Sequence, residues 1–279
     1  MPCGDLPLKS KVVLVTGGGS GINLSFVKLA VQREARGVII GDLKLTTEAE
    51  KFVQTNSTKV VFAKCDVTRR KDLENLVQVA ADRFGDVPDV YVAGAGVFEP
   101  EWSNWWDDTE EDRYSELDIN VNHALKLSRI AMRALLGKRK KGVILITASL
   151  AGYQHAVIGF VRSMAELDGL ENIKVVAVAP GLVHTPLWTD RPNTMRQFGY
   201  DEKAAVTADF VAEKMMDLVV DGRYGGGSCL EVSASSVRTL GTWDVPAPAY
   251  IGTTVPQEAL DASYAPLKAI MEKDRQHKL

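Results

Sequence analysis

The chain has 279 residues, of which 46% are apolar and 25% charged, and its formal net charge is −3. This composition predicts a globular protein with a full core, which we take as one domain over 1–279. No basic stretch suits nucleic acid, and no apolar run approaches the roughly 20 residues that cross a bilayer. The three cysteines show no metal-ligand spacing. We therefore expect no metal, no nucleic-acid or membrane partner, and a cytoplasmic location.

Short β-branched runs alternate with longer segments of helical period, which predicts a parallel sheet wrapped by helices on both faces. We predict strands at 11–16, 38–40, 59–62, 89–92, 143–146 and 174–178, a short strand near 230–232, and a helix over 207–220. The core should cover about 11–233, and a turn-rich tail, 242–279, should end in a short helix beginning near Pro266. The fold class is therefore α/β, with a single Rossmann-type doubly wound parallel sheet.

A glycine-rich segment, Thr16 to Ile22, follows the first predicted strand and opens the first helix. In this context backbone N–H groups and the helix dipole converge on a phosphate, whereas a plain tight turn is the alternative. Asp42 ends the second strand about 20 residues further on, where a carboxylate binds an adenosine ribose diol and repels a 2′-phosphate. NAD is therefore favoured, and NADP is kept as the alternative because Lys44 lies nearby. Asp66, after the third strand, is placed to meet the adenine edge or to form a turn or N-cap.

Several segments together resemble the short-chain dehydrogenase/reductase family, from about residue 11 to residue 232. The segment 16–22 resembles its cofactor loop, 65–67 its adenine contact, and Ala93-Gly94-Ala95-Gly96 its Asn-Asn-Ala-Gly turn. Asn120 resembles the helix asparagine of its catalytic tetrad, and Ser149 resembles its catalytic serine. The cofactor-binding residues that the resemblance and the motifs imply are Thr16, Gly17, Gly19, Ser20, Gly21, Ile22, Asp42, Asp66, Val67, Gly94, Gly96, Pro180, Gly181, Val183 and Thr185.

Within that family the likeness is to NAD-linked secondary-alcohol dehydrogenases of the hydroxyprostaglandin type. The resemblance implies hydride transfer between a nicotinamide cofactor and a secondary alcohol or ketone, with a tyrosine as general acid/base beside a lysine. It also implies a homodimer or homotetramer. Tryptophans at 102, 105 and 106 and a lid-like segment, 186–200, favour a bulky apolar substrate, as in specialised metabolism. A packed surface loop is the alternative for the tryptophans.

The acid/base segment of the family, Tyr-x-x-x-Lys, should begin about a dozen residues after Ser149. Here Ser149 is followed by LAGYQ and then at once by HAVIGF, which resembles the stretch after the catalytic lysine. The segment is therefore missing between Gln154 and His155. Tyr153 is the candidate replacement, with His155 as a second. Tyr264 and Lys268 have the required spacing, but a helix that begins at Pro266 would leave Tyr264 outside it.

Three hypotheses follow from this gap. The chain is an active oxidoreductase, if the junction omits a coding stretch or if another residue replaces the base. It is a catalytically inactive nucleotide-binding pseudoenzyme with a regulatory or scaffolding role, or it is a degenerate product that folds poorly. Asn23 replaces a helix-packing glycine, and Ala93 and Gly94 replace two asparagines that brace neighbouring strands. These departures suggest relaxed constraints on the site.

Overall fold

The computed structural model describes residues 2–98, 103, 108, 110–150, 155–192, 195, 200–241 and 257–276. The strands are β1 Val12–Thr16, β2 Gly37–Asp42, β3 Val60–Lys64, β4 Val90–Ala93, β5 Gly142–Thr147, β6 Ile173–Pro180, β7 Val183–His184, β8 Val206–Thr207, β9 Cys229–Val232 and β10 Val237–Thr239. The α-helices are α1 Gly21–Gln32, α2 Thr47–Thr55, α3 Arg70–Phe84, α4 Ser115–Leu117, α5 His123–Gly137, α6 His155–Ser163, α7 Glu166–Glu171, α8 Pro186–Thr189, α9 Ala208–Val220 and α10 Gln257–Arg275. A π-helical turn, Asp118–Asn122, joins α4 to α5, and a 3-10 turn covers Glu202–Ala204.

The main sheet has the strand order β10-β9-β6-β5-β4-β1-β2-β3, and all of its pairs are parallel except β9 with β10. One apolar cluster joins the sheet to α3, α5 and α6, and a second joins its other face to α1 and α9. β1 and β6 are fully buried, and apart from Thr16 and Lys174 their residues are apolar, as expected of strands covered on both faces. The predicted doubly wound fold is confirmed.

The strand order reverses at β1, which lies between β2 and β4. Thr16, the last residue of β1, is in register with Gly41 of β2 and with Ala93 of β4. The segments that leave these strands therefore meet at one edge of the sheet. A crevice at this reversal is where open α/β sheets bind ligands.

The prediction for the last helix was wrong. It begins at Gln257, and Pro266 lies inside it rather than at its start. Met271 and Asp274 of this helix are buried against α5, where Asp274 pairs with Arg129 and Arg133. This tertiary packing compensates for the backbone hydrogen bond that an interior proline removes. The preceding stretch of the predicted tail, 242–256, lies outside the described residues.

Candidate functional site

The crevice at the strand reversal encloses a cavity of about 390 Å³. Its walls include Asn120, Ser149 and every predicted cofactor residue except Thr16 and Gly19, namely Gly17, Ser20, Gly21, Ile22, Asp42, Asp66, Val67, Gly94, Gly96, Pro180, Gly181, Val183 and Thr185. The structure therefore brings residues from distant parts of the chain to one place. Thr16 and Gly19 lie behind this surface and support it.

The glycine-rich loop has the geometry of a phosphate cradle. Gly17 has a φ of +68°, and a Cβ there would lie 2.6 Å from the Cα of Ala95, so the position requires glycine. The side chain of Ser20, the N-cap of α1, makes no capping hydrogen bond, and the first turn of α1 contains no acidic residue. The protein thus leaves the positive end of this helix without a counter-charge, which fits an anionic diphosphate.

Asp42 is held by the same loop. Its Oδ2 accepts a hydrogen bond from the Gly19 N–H at 2.9 Å, and its Oδ1 accepts one from the Leu43 N–H at 2.7 Å. A Cβ on Gly19 would lie 2.8 Å from Oδ2 of Asp42 and 2.5 Å from the carbonyl oxygen of Lys44. Gly19 therefore leaves room for the Asp42 carboxylate and is not among the residues that line the cavity. Each carboxylate oxygen keeps lone-pair capacity for a ribose hydroxyl, so Asp42 fits an adenosine diol.

Asp66 forms a turn and also lines the cavity. Its Oδ1 accepts hydrogen bonds from the backbone N–H of Thr68 at 3.0 Å and from the Thr68 hydroxyl at 2.7 Å. Its own N–H donates to Asp72 at 3.0 Å, and the N-cap of α3 is Arg69 rather than Asp66. Asp66 and Val67 nevertheless line the cavity at the end of β3. The turn therefore fixes a carboxylate at the cavity wall, which fits a contact with adenine.

Thr16 lies under the floor of the crevice and is fully buried. Its hydroxyl donates to the Val92 carbonyl at 3.1 Å, accepts from the Gly94 N–H at 3.1 Å, and lies 2.9 Å from Nε2 of His123. Sequence reasoning missed His123, which is only 2% exposed at the start of α5. Burial lowers the pKa of His123 to about 4, although hydrogen bonds with the Ile119 and Ala95 carbonyls act to raise it. A neutral imidazole thus joins α5 to the floor of the site.

Asn120 lies in the π-helical turn and fixes the segment that leaves β4. Its Nδ2 donates to the Val97 carbonyl at 2.8 Å, and its Oδ1 accepts from the Val97 N–H at 2.9 Å. On β5, Thr147 lines the same cavity, and its hydroxyl is buried without a hydrogen-bond partner among the described residues. Sequence reasoning selected Ser149 after this strand and missed Thr147. The sequence does not show whether a hydroxyl lacks a hydrogen-bond partner, so Thr147 could be found only in the structure.

The acid/base segment remains the exception. Tyr153, Gln154 and the side chain of His155 lie outside the described residues. The helix that begins at His155 has the sequence HAVIGFVRS, which contains neither tyrosine nor lysine. The expectation that Tyr264 lies outside the last helix was wrong, because α10 spans that position, but no described residue of α10 lines the cavity. The described residues therefore supply no Tyr-x-x-x-Lys pair to the crevice.

Two aromatic side chains, Phe98 and Trp188, form part of the cavity wall. The rings of Phe98 and Trp188 are 5.0 Å apart, and Trp188 is 5.4 Å from the ring of Tyr200. Arg191 donates to the Phe98 carbonyl at 3.0 Å, which ties the lid-like segment to the loop after β4. The predicted tryptophans at 102, 105 and 106 lie outside the described residues. The described wall is apolar enough to contact a large hydrophobic ligand.

In the part of the chain that the structure describes, no helix is long and apolar enough to span a membrane. No group of three or more His, Cys, Asp or Glu side chains in the same residues is arranged to hold a metal ion.

The fold and its crevice define a Rossmann-type α/β protein. Residues 11–196 match the family model described as short chain dehydrogenase. Short-chain dehydrogenase reductase 3a of Arabidopsis thaliana is 31% identical over 249 residues, which cover 81% of this chain and 95% of the relative. Momilactone A synthase of Oryza sativa subsp. japonica is 30% identical over 253 residues, which cover 81% of this chain and 89% of the relative. The crystal structure of gox2181 superposes with a TM-score of 0.67 at 25% identity, over 81% of this chain and 95% of that one.

The chain belongs to the short-chain dehydrogenase/reductase family, whose members are NAD(P)-dependent oxidoreductases acting on small molecules. The resemblance seen in the sequence is thereby confirmed at the level of the family.

Proposed function

We propose that the crevice binds a nicotinamide dinucleotide, NAD in preference to NADP, and that the chain transfers a hydride between it and the secondary alcohol or ketone of a bulky apolar metabolite. The observation that carries this proposal is the pairing of the Gly17–Ile22 cradle with Asp42 at adjacent strand ends. A carboxylate hydrogen-bonded to the phosphate loop itself disfavours a second phosphate at that place by charge repulsion. Lys44 is exposed beside Asp42, and its positive charge is the reason that NADP is kept as the alternative.

Each group in the wall has a role in this proposal. The N–H groups at the start of α1 hold the diphosphate, Asp66 and Val67 contact the adenine, and the segment from Pro180 to Thr185 borders the nicotinamide. The bound cofactor supplies the hydride chemistry. Ser149 steadies the substrate oxygen, and Asn120 keeps the Val97 segment in place beside it. Tyr153 remains the proposed proton donor and acceptor, since it follows Ser149 closely in the chain.

The proposed substrate class rests on the apolar part of the cavity wall. Phe98, Leu187 and Trp188 form this part, while Glu116 lines the same cavity. Such a wall favours a ring system or a long hydrocarbon over a small polar alcohol. The name of the rice relative, momilactone A synthase, supports a product of specialised metabolism.

A second candidate function is a nucleotide-binding pseudoenzyme that regulates or scaffolds a partner. The observation that favours it is the sequence of α6, which has no tyrosine or lysine to move a proton and hold a ribose. Both candidates share the dinucleotide site. They differ only in whether a bound substrate is turned over.

One experiment separates these candidates. The purified protein is titrated with NADH and NADPH by fluorescence and is then assayed for hydride transfer with a panel of secondary alcohols and ketones of increasing size. Turnover that requires Tyr153, as tested with Tyr153→Phe, supports the oxidoreductase, whereas binding without turnover supports the pseudoenzyme. Loss of folding or of binding to both nucleotides would refute both. Transcript sequencing across codons 154 and 155 tests whether a segment with Tyr-x-x-x-Lys belongs there.

We also propose that the chain forms one domain and assembles as a homodimer or homotetramer, in keeping with its family. Within the chain, α10 packs against α5 and covers part of its surface. The mass of the native protein in solution tests this proposal, and a monomer at working concentrations would refute it.

A further inference from the structure

At the edge of the crevice, the side chain of Asn23 fills the space in which a side chain of residue 94 would otherwise lie. Asn23 lies on α1, and Gly94 follows β4. A Cβ built on Gly94 would lie 2.4 Å from Oδ1, 2.5 Å from Nδ2 and 2.6 Å from Cγ of Asn23. All three distances are shorter than real Cβ contacts, so any side chain at 94 would force the Asn23 side chain to leave the position it holds.

The contact is also a directed hydrogen bond. Nδ2 of Asn23 donates to the Gly94 carbonyl at 2.8 Å, and the Gly94 N–H donates to the hydroxyl of Thr16 at 3.1 Å. The peptide groups on both sides of Gly94 are therefore held by hydrogen bonds, one from Asn23 on α1 and one to Thr16 on β1. Because Gly94 adjoins Ala95, against which Gly17 packs, these hydrogen bonds also set the position of the phosphate loop.

The family pattern has the opposite arrangement, with glycine in the helix and asparagine in the loop after β4. We infer that this chain has exchanged the two residues, and that Asn23 is a positioning residue that fixes the distance between α1 and β4 for the dinucleotide. The two departures compensate for each other, so the expectation of relaxed constraints does not apply to this pair. This inference rests on the proposed function, because the ligand that Asn23 positions is the proposed cofactor.

A further feature connects Asn23 with a ligand. The residue is 7% exposed and lines the cavity, and its Oδ1 has no hydrogen-bond partner among the described residues. A buried acceptor of this kind is normally satisfied, by protein, water or ligand. The phosphates of a dinucleotide carry no donor at neutral pH, so they do not supply the donor that Oδ1 lacks.

The test is a double-mutant cycle with Asn23→Gly, Gly94→Asn and the combination of both. Two readouts are taken, the thermal unfolding midpoint without nucleotide and the dissociation constant for NADH. Each single change should weaken NADH binding on the order of tenfold, one through the lost brace and the other through the clash, and the double variant should recover most of that loss. Asn23→Asp keeps the shape but sets a carboxylate oxygen against the Gly94 carbonyl, so it should behave like the single variants.

Gly169→Asn is the matched control, because a Cβ at Gly169 meets nothing within 4 Å. It should leave both readouts unchanged. Additive losses in the double variant would overturn the inference, as would recovery of stability without recovery of NADH affinity, since a purely structural pair gives that result. If the wild-type protein binds no NADH, the proposed function and the positioning role both fall, while coupling in the unfolding midpoint would still establish the packing pair.

Discussion

The buried histidine beneath the cofactor loop should make the stability of the protein depend on pH. His123 is 2% exposed, and its pKa falls from 6.5 to about 4, chiefly because burial removes water from the charged form. Between these two values the unfolded chain binds a proton that the folded chain does not. The part of the stability that depends on His123 is therefore fully present above pH 6.5, falls as the pH is lowered through that value, and is lost near pH 4.

The size of this effect follows from the shift itself. One pKa unit corresponds to about 1.4 kcal/mol, so a shift from 6.5 to about 4 makes a contribution of roughly 3 kcal/mol to the free energy of unfolding. That is a large fraction of the ~5–15 kcal/mol typical of a folded domain. His123 lies against Thr16, whose hydroxyl also accepts a hydrogen bond from Gly94. Protonation of His123 should therefore destabilise the floor of the crevice first.

The assay is urea unfolding at intervals from pH 4 to pH 7. Because the glutamine of His123→Gln cannot take up a proton, the free energy of unfolding of this variant should depend less on pH between pH 4 and 6.5 than that of the wild type. His184→Gln is the matched control, since His184 is exposed and contacts only the Tyr200 hydroxyl at 3.1 Å among the described side chains. Equal slopes for the wild type and His123→Gln would refute the reasoning.

Three further changes test other parts of the structure. Asp42→Ala removes the proposed ribose contact and should weaken NADH binding about 10–100-fold with a smaller effect on NADPH, as fluorescence titration measures; an unchanged ratio would count against Asp42. In any active form, Ser149→Ala should lower kcat on the order of a hundredfold with little change in NADH affinity, and an unchanged rate would remove Ser149 from the mechanism. Asp274→Ala leaves Arg129 and Arg133 without their carboxylate, so it should destabilise the packing of α10 by about 1–3 kcal/mol. Faster tryptic cleavage within α10 measures this loss, and an unchanged rate would show that the ion pairs do not anchor the helix.

The cofactor half of the site could be predicted because its signals are local. A strand followed by glycines and a helix, with an aspartate at the next strand end, specifies the cradle by order along the chain alone. Asp66 followed from its place after a strand, whereas Asn120 and Ser149 followed from the family resemblance; all three line the crevice.

The rest depends on contacts between distant residues. Nothing near His123 in the sequence indicates that its ring contacts Thr16. In the sequence, Asn23 and Gly94 are two separate departures from the family pattern, and only the structure shows that the Asn23 side chain lies against Gly94. The start of α10 was misplaced for a related reason. A proline is a local signal to begin a helix, whereas the burial of Met271 against α5 is a tertiary contact that allows the helix to begin earlier.

The most direct test of the central claim is a structure of the protein crystallised with NAD. The account predicts electron density for the diphosphate at the first turn of α1, an adenosine ribose within hydrogen-bond distance of Asp42, and adenine beside Asp66. A dinucleotide bound anywhere else on the molecule, or an adenosine ribose turned away from Asp42, would contradict it.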